Sequence, residues 1–455
     1  MARVPPGPRS LVPGRFLRPL QRNPIPFLTA LARDYGDAVQ FAVGPQKIIV
    51  FNHPDLVREL LVTQARSFHK SRVLQRAKVV FGEGLLTSEG ELHRRQRRLV
   101  QPGFHRDRIA GYATVMVEKA AAMRQQWRDG ETLDMHQEMM RLTLSVVART
   151  LFEADVEAEQ DEIGAALGEL IELFPLLMNP FSPLLQKLPL RSSLRLRAAI
   201  ERLDRTIYAI IDEWRSSGQD RGDLLSMLLM SQDLEGDGGV MSDQQVRDEA
   251  MTIFLAGHET TANALSWTWY LLARHPDSEA EIQRVIRQVL DGRLPTAADF
   301  PQLQFVEMVL AESMRLYPPA WAVSRLAIEA VEIGGWLVPR GAVVVAPQAV
   351  IHRDERFWPD PLRFDPMRFT PEARAARPKF AYFPFGAGPR ICIGEGFAWM
   401  EGVLLLTTLA QEWRMEAVSR DVESVASITL RPRGGIRMRV RRNHDVRRQS
   451  AESKY

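Results

Sequence analysis

The chain's only cysteine, Cys392, stands in the run Phe385-Gly386-Ala387-Gly388-Pro389-Arg390-Ile391-Cys392-Ile393-Gly394. A lone cysteine is ordinarily a small buried hydrophobe. This one immediately precedes a predicted helix, where orphan N–H groups and the helix dipole favour an anion. A thiol so placed is expected to shift toward the thiolate, the form that binds a metal. Gly386, Gly388 and Gly394 free the backbone for positive φ and for close approach to a flat cofactor. Arg390, two residues ahead of the sulfur, can pair with a carboxylate of a bound group. A dinucleotide reading of these glycines fails, because Ile391 takes the third glycine position of GxGxxG.

A second set of reactive side chains lies in Ala256-Gly257-His258-Glu259-Thr260-Thr261, inside a long helical pattern. Gly257 costs ~1 kcal/mol relative to alanine in a helix interior, so the position needs space. Glu259 and Thr260 sit among Ile253, Phe254, Leu255 and Leu265, where an acid requires a partner or a task. A zinc-protease motif is ruled out, since Ala262 replaces the second histidine of HExxH.

The cysteine run resembles the heme-binding loop of the cytochrome P450 family at all six positions which that motif specifies: Phe385, Gly386, Gly388, Arg390, Cys392 and Gly394. The resemblance implies heme b (iron protoporphyrin IX) with Cys392 as its proximal iron ligand, Phe385 beside the sulfur and Arg390 at a propionate. The Ala256–Thr261 block is similar to the family's oxygen-binding helix. It implies that Ala256 and Gly257 border the cofactor, that Glu259 brings protons inward and that Thr260 holds them where dioxygen is cleaved. By the same resemblance His93, Arg97 and Arg325 contact propionates, and Glu312, Arg315 and Arg368 form a structural triad. Glu91–Arg94, Glu138–Arg141 and Glu281–Arg284 share the acid–arginine spacing without that context. His352 is expected to be structural. Gly82, Gly84 and Leu85 fall in a loop that approaches substrate in the family, and the basic run from Arg94 to Arg108 includes a docking face for electron donors.

Elements must bring these residues together. The lead-in to about Pro26 reads as extended, and Ala38–Val43 with Lys47–Phe51 as a hairpin about Gly44-Pro45. Helical periodicity then dominates to His275, with the longest pattern from Asp243 to the stop at Pro276. Phe305–Leu316 forms another helix before Pro318-Pro319, short strands follow from Val331 to Ala346, and Phe357–Phe385 winds without regular pattern. A helix from about Ile393 to Trp413 and a strand with Ile436, Met438 and Val440 inward complete a mainly α fold with a small β region. The expectation is a single domain over residues 1–455, the cytochrome P450 fold, with heme between the long helix and the cysteine loop and a disordered tail from 442.

Composition narrows the function classes. Lys and Arg total 59 against 56 Asp and Glu, so nothing marks a nucleic-acid binder. A single cysteine excludes disulfides and multi-cysteine metal sites. No run reaches the roughly 18 apolar residues of a membrane span, and the start lacks a signal-peptide core, so the expected location is cytoplasmic. The length leaves no room for a flavin or nicotinamide domain. Electrons are therefore expected from a ferredoxin and its reductase, or from a flavodoxin-type donor. The family resemblance and the apolar stretch at 170–190 point to a lipophilic substrate of the fatty acid, terpene or steroid class. The alternative is a heme-thiolate isomerase or sensor, and the Glu259–Thr260 pair favours the oxygenase.

Overall fold

The computed structural model describes residues 2–10, 14–152, 160–178, 188–217, 224–231, 239–419 and 421–443. Its axis is the helix Asp243–Leu272, which starts at a reciprocal capping box: the Ser242 hydroxyl accepts from the Gln245 N–H, and the Gln245 side chain accepts from the Ser242 N–H. Nearly every residue from Val246 onward is buried, as expected of a helix with no solvent face. It packs on Met135–Phe152 along one side and on Gln304–Leu316 and Glu395–Ala410 along another. Pro276 does not continue it but opens the next helix, Pro276–Leu290, at the first position, where a missing N–H costs nothing.

Among the described residues, twelve short strands surround this helical body. They are β1 (Ala38–Val43), β2 (Gln46–Phe51), β3 (Phe68–Lys70), β4 (Thr132–Asp134), β5 (Val323–Ala327), β6 (Val331–Ile333), β7 (Trp336–Val338), β8 (Val343–Ala346), β9 (Trp413–Ala417), β10 (Ser424–Ala426), β11 (Leu430–Pro432) and β12 (Arg437–Arg442). The main sheet runs β1-β2-β8-β5-β3, with Ala38 opposite Phe51 in the expected hairpin. β12 pairs with β4 and β9, burying Met438 and Val440 while its arginines alternate outward. β10 and β11 form a hairpin of their own.

Several expectations are corrected. The opening is helical from Leu17 to Arg22 and again from Pro24 to Tyr35. Pro24 occupies the first helical position, where its fixed φ favours the helix, and Leu28 and Leu31 are buried. Within 357–385 a one-turn helix, Pro366–Phe369, and the helix Pro371–Ala376 form, the second capped by the Thr370 hydroxyl. The helix after the cysteine begins at Glu395 and stops at Ala410, because Trp413 enters β9. β12 takes in Arg442, and Asn443 is buried with its amide on the Ala410 carbonyl. Of the expected tail, residues 444–455 lie outside the described residues, as do 179–187 of the apolar 170–190 stretch.

Candidate active site

The cysteine loop is closed by its own backbone: the Cys392 N–H donates to the Phe385 carbonyl at 2.9 Å. Gly388 has φ of 69°, and a Cβ there would sit 2.0 Å from the Leu61 carbonyl oxygen. Only glycine permits that approach. The Phe385 ring rests against Trp399, with centroids 5.6 Å apart. Cys392 is exposed, and it lines a cavity of about 1150 Å³. The expected drift toward thiolate is reversed here. Burial pushes the thiol up, outweighing the Gly394 N–H that favours the anion. A thiolate at this sulfur therefore needs a cation beside it, which a metal ion supplies. Among the described residues no group of three or more His, Cys, Asp and Glu side chains is placed to hold a metal. A metal at Cys392 must bring its other ligands with it, in a cofactor.

The cavity separates this loop from the long helix. Gly386, Arg390 and Gly394 line the first wall with Phe385 and Cys392, and Ala256, Gly257, Thr260 and Thr261 line the second. At one end the walls are cationic. Arg390 donates to the Ser88 carbonyl at 2.8 Å and pairs with Glu89, whose other oxygen accepts the Lys70 backbone N–H. The Lys70 amine, Arg325 and Arg390 crowd one another. Burial first, then Arg325 and Arg390, lowers Lys70 to about 7, and burial with Arg390 lowers Arg325 to about 10. Three cationic side chains, Lys70, Arg325 and Arg390, thus share the carboxylate of Glu89, with Arg97 close to Lys70 and Arg390. The two propionates of a heme fit this excess of positive charge.

His93 and Arg97 belong to the same cationic cluster. His93 is buried among the same cations, and burial followed by Arg390 lowers it to about 3, so it is neutral. Arg97 donates to the Ile391 carbonyl at 2.8 Å and so props the cysteine loop. Lys70 and Glu89 escape a sequence reading: one ends a three-residue strand, the other precedes the helix Gly90–Val100, and no spacing links them.

The acid and the alcohol also part company. The Thr260 hydroxyl faces the cavity and donates to the Ala256 carbonyl at 2.7 Å. Glu259, about 100° round the helix from Thr260, is not among the residues that line the cavity. Its Oε1 accepts from Arg431 Nε at 2.7 Å, from Arg431 Nη2 and from the Thr429 hydroxyl. Asn263 donates in turn to the Thr429 oxygen at 3.3 Å. The β10–β11 hairpin therefore grips the helix by its acid, while its turn residues Ser427 and Ile428 line the cavity.

The triad forms as expected. Arg315 holds Glu312 by two hydrogen bonds of 2.7 and 2.8 Å, both fully buried, and Arg368 Nε lies 3.6 Å from Glu312. The other acid–arginine pairs of the same spacing are at least half exposed on the arginine. His352 accepts the Phe383 N–H at 3.1 Å, a structural role.

A family profile described as cytochrome P450 matches residues 5–436. The chain belongs to the cytochrome P450 family. It is 40% identical over 407 residues to "Cyclooctatin synthase" of Streptomyces melanosporofaciens, covering 88% of this chain and 87% of the relative. It is 36% identical over 425 residues to "Pentalenene oxygenase" of Streptomyces avermitilis, covering 92% and 93%. The crystal structure of the "cytochrome P450DA heme domain" superposes with a TM-score of 0.88 at 27% identity over 98% of this chain and 99% of that one. This P450 is therefore an oxidoreductase of the oxygenase type, a heme protein of mainly helical fold with small sheets. Among its described residues no helix is long and apolar enough to cross a membrane.

Proposed function

We propose that this P450 inserts one oxygen atom from O2 into a lipophilic substrate of the terpene class, using electrons from a separate ferredoxin and its reductase. The observation that carries the reading is the cavity itself: Cys392 on one wall, Thr260 on the other, and apolar lining from Leu85, Leu86, Ile253, Ala264 and Ile428. A relative named for the alkene pentalenene supports the substrate class.

Bound heme b supplies the iron at which dioxygen and two electrons react. This chain's residues hold and steer it. Cys392 Sγ gives the thiolate ligand, Phe385, Gly386 and Gly394 shape the loop around it, and Ala256 and Gly257 border the opposite face. Arg390, Arg325 and Lys70 take the propionates; His93 and Arg97 back them and fix the loop. Thr260 Oγ holds a proton at the cavity wall. Glu259 Oε1 collects protons from the hairpin side, and its passage to Thr260 requires that Arg431 and Thr429 loosen their hold.

The test is a ferric absorption titration with terpenes, medium-chain fatty acids and a steroid, followed by product analysis with a ferredoxin system. A high-spin shift and a hydroxylated terpene support the reading. Heme binding without a spectral shift or product across the panel overturns it in favour of an isomerase or sensor.

A further inference from the structure

Two consecutive acids of the long helix, Asp248 and Glu249, lie about two turns before Ala256 and play no part in the chemistry above. Asp248 Oδ2 accepts the Glu83 N–H at 2.8 Å, and Glu249 Oε2 accepts the Leu85 N–H at 3.0 Å. They take alternate amides of one loop, Gly82–Ser88, and draw it flat against the helix. A Cβ on Gly82 would sit 2.1 Å from the Asp248 carboxylate, and one on Gly84 would sit 2.3 Å from Thr252 Oγ1 and 2.5 Å from the Asp248 carbonyl oxygen. No side chain fits between loop and helix at either point.

Glu249 is fully buried, and its Oε1 has no hydrogen-bond partner. Burial pushes it up to about 8, so it is a neutral acid at neutral pH and glutamine is its near isostere. A buried acid with one spare oxygen is costly to keep unless its other oxygen is needed. What it holds is a wall of the cavity. Leu85 and Leu86 project from this loop into the same space that Thr252, Ile253 and Thr260 line. Asp248 is fixed independently, by Gln244 at 2.8 Å and Arg247 at 3.0 Å, and Arg247 is anchored on Asp204 and on the Val80 carbonyl.

We infer that Asp248 and Glu249 form a two-point latch that sets the position of Leu85 and Leu86, and with it the size and shape of substrate this pocket accepts. They are positioning residues for specificity, and neither is among the residues that line the cavity. The inference rests on the cavity being the substrate pocket.

The latch is tested on the heme-loaded full chain by hydrogen–deuterium exchange and by ferric-heme titration with imidazole and 4-phenylimidazole. Glu249→Leu removes the acceptor. It should raise exchange of the 82–88 peptide about tenfold, one hydrogen bond's worth, and change the ratio of the two dissociation constants, with exchange of 304–316 unaltered. Glu249→Gln keeps the acceptor and should match wild type in both. Gly84→Ala wedges the loop away against the Thr252 hydroxyl and the Asp248 backbone, leaving both carboxyl groups in place, and should reproduce the leucine variant, which keeps the test open if Glu249→Leu does not hold heme. Unchanged exchange and ratio in Glu249→Leu or Gly84→Ala, or equal behaviour of the glutamine and leucine variants, overturns the latch. Neither readout requires turnover, so the latch can stand although no terpene is hydroxylated, and can fall although one is.

Discussion

Arg431, on a hairpin strand, grips Glu259 of the long helix through Nε at 2.7 Å and through Nη2, while the adjacent Thr260 hydroxyl lines the cavity and binds the Ala256 carbonyl. Acid and alcohol are neighbours in sequence and face different surroundings in space. The side chain of Glu259 is 4% exposed and that of Arg431 22%. Removing the cation leaves a carboxylate with little access to water, which costs more than the ion pair contributes.

Arg431→Met should therefore lower stability by about 2–3 kcal/mol. Glu259→Gln in the same chain should recover part of that loss, because the stranded charge is gone. Urea unfolding of both single variants and the double variant gives the coupling; additive losses would show that the pair does not interact in the folded state.

Thr260→Ala removes a hydroxyl that lines the cavity on the wall opposite Cys392 and is hydrogen-bonded back to its own helix. Product formed per electron pair should fall roughly tenfold or more, with hydrogen peroxide released instead. Electron uptake and heme content should be little changed. Product and peroxide yields per nicotinamide oxidised measure this directly, and unaltered coupling would remove Thr260 from proton handling.

Lys70 carries a pH signature. Burial and the neighbouring arginines lower its folded value to about 7 from the ordinary 10.5. Between those values the unfolded chain binds a proton that the folded chain has released, so this group makes the heme-free protein more stable as pH rises through the window, and its cost is complete below about 7. Lys70→Met should therefore stabilise the heme-free protein more at about pH 6 than at about pH 9. The same change should speed heme loss to an apoglobin acceptor, since a propionate partner is gone. Thermal unfolding at the two pH values checks the first expectation, and equal stabilisation at both would contradict it.

The cysteine loop was legible because everything it needs lies within ten consecutive residues, and the constraints on its backbone select particular residue types. Gly388 shows this: the Leu61 carbonyl forbids any side chain there. The Glu312–Arg315 pair was legible from its spacing and its Pro-Pro stop, although three other pairs share that spacing. Glu259 with Arg431 was not, because 172 residues separate them and either could pair elsewhere. Lys70 and Glu89 likewise meet only through tertiary packing. At the Cys392 sulfur of the heme-free chain, helix position favours the thiolate and burial acts in the opposite sense with the larger effect. The helical lead-in is hidden in a Pro-rich opening because proline suits both extended chain and the first position of a helix, which Pro24 occupies.

The most direct measurement is the absorption spectrum of the ferrous protein under carbon monoxide, for wild type and Cys392→Ser at equal heme content. Wild type should show the red-shifted Soret band that a thiolate ligand produces, and Cys392→Ser should lose it. A serine variant that kept that band, or a wild type that never showed it, would contradict Cys392 as the ligand and the oxygenase mechanism built on it.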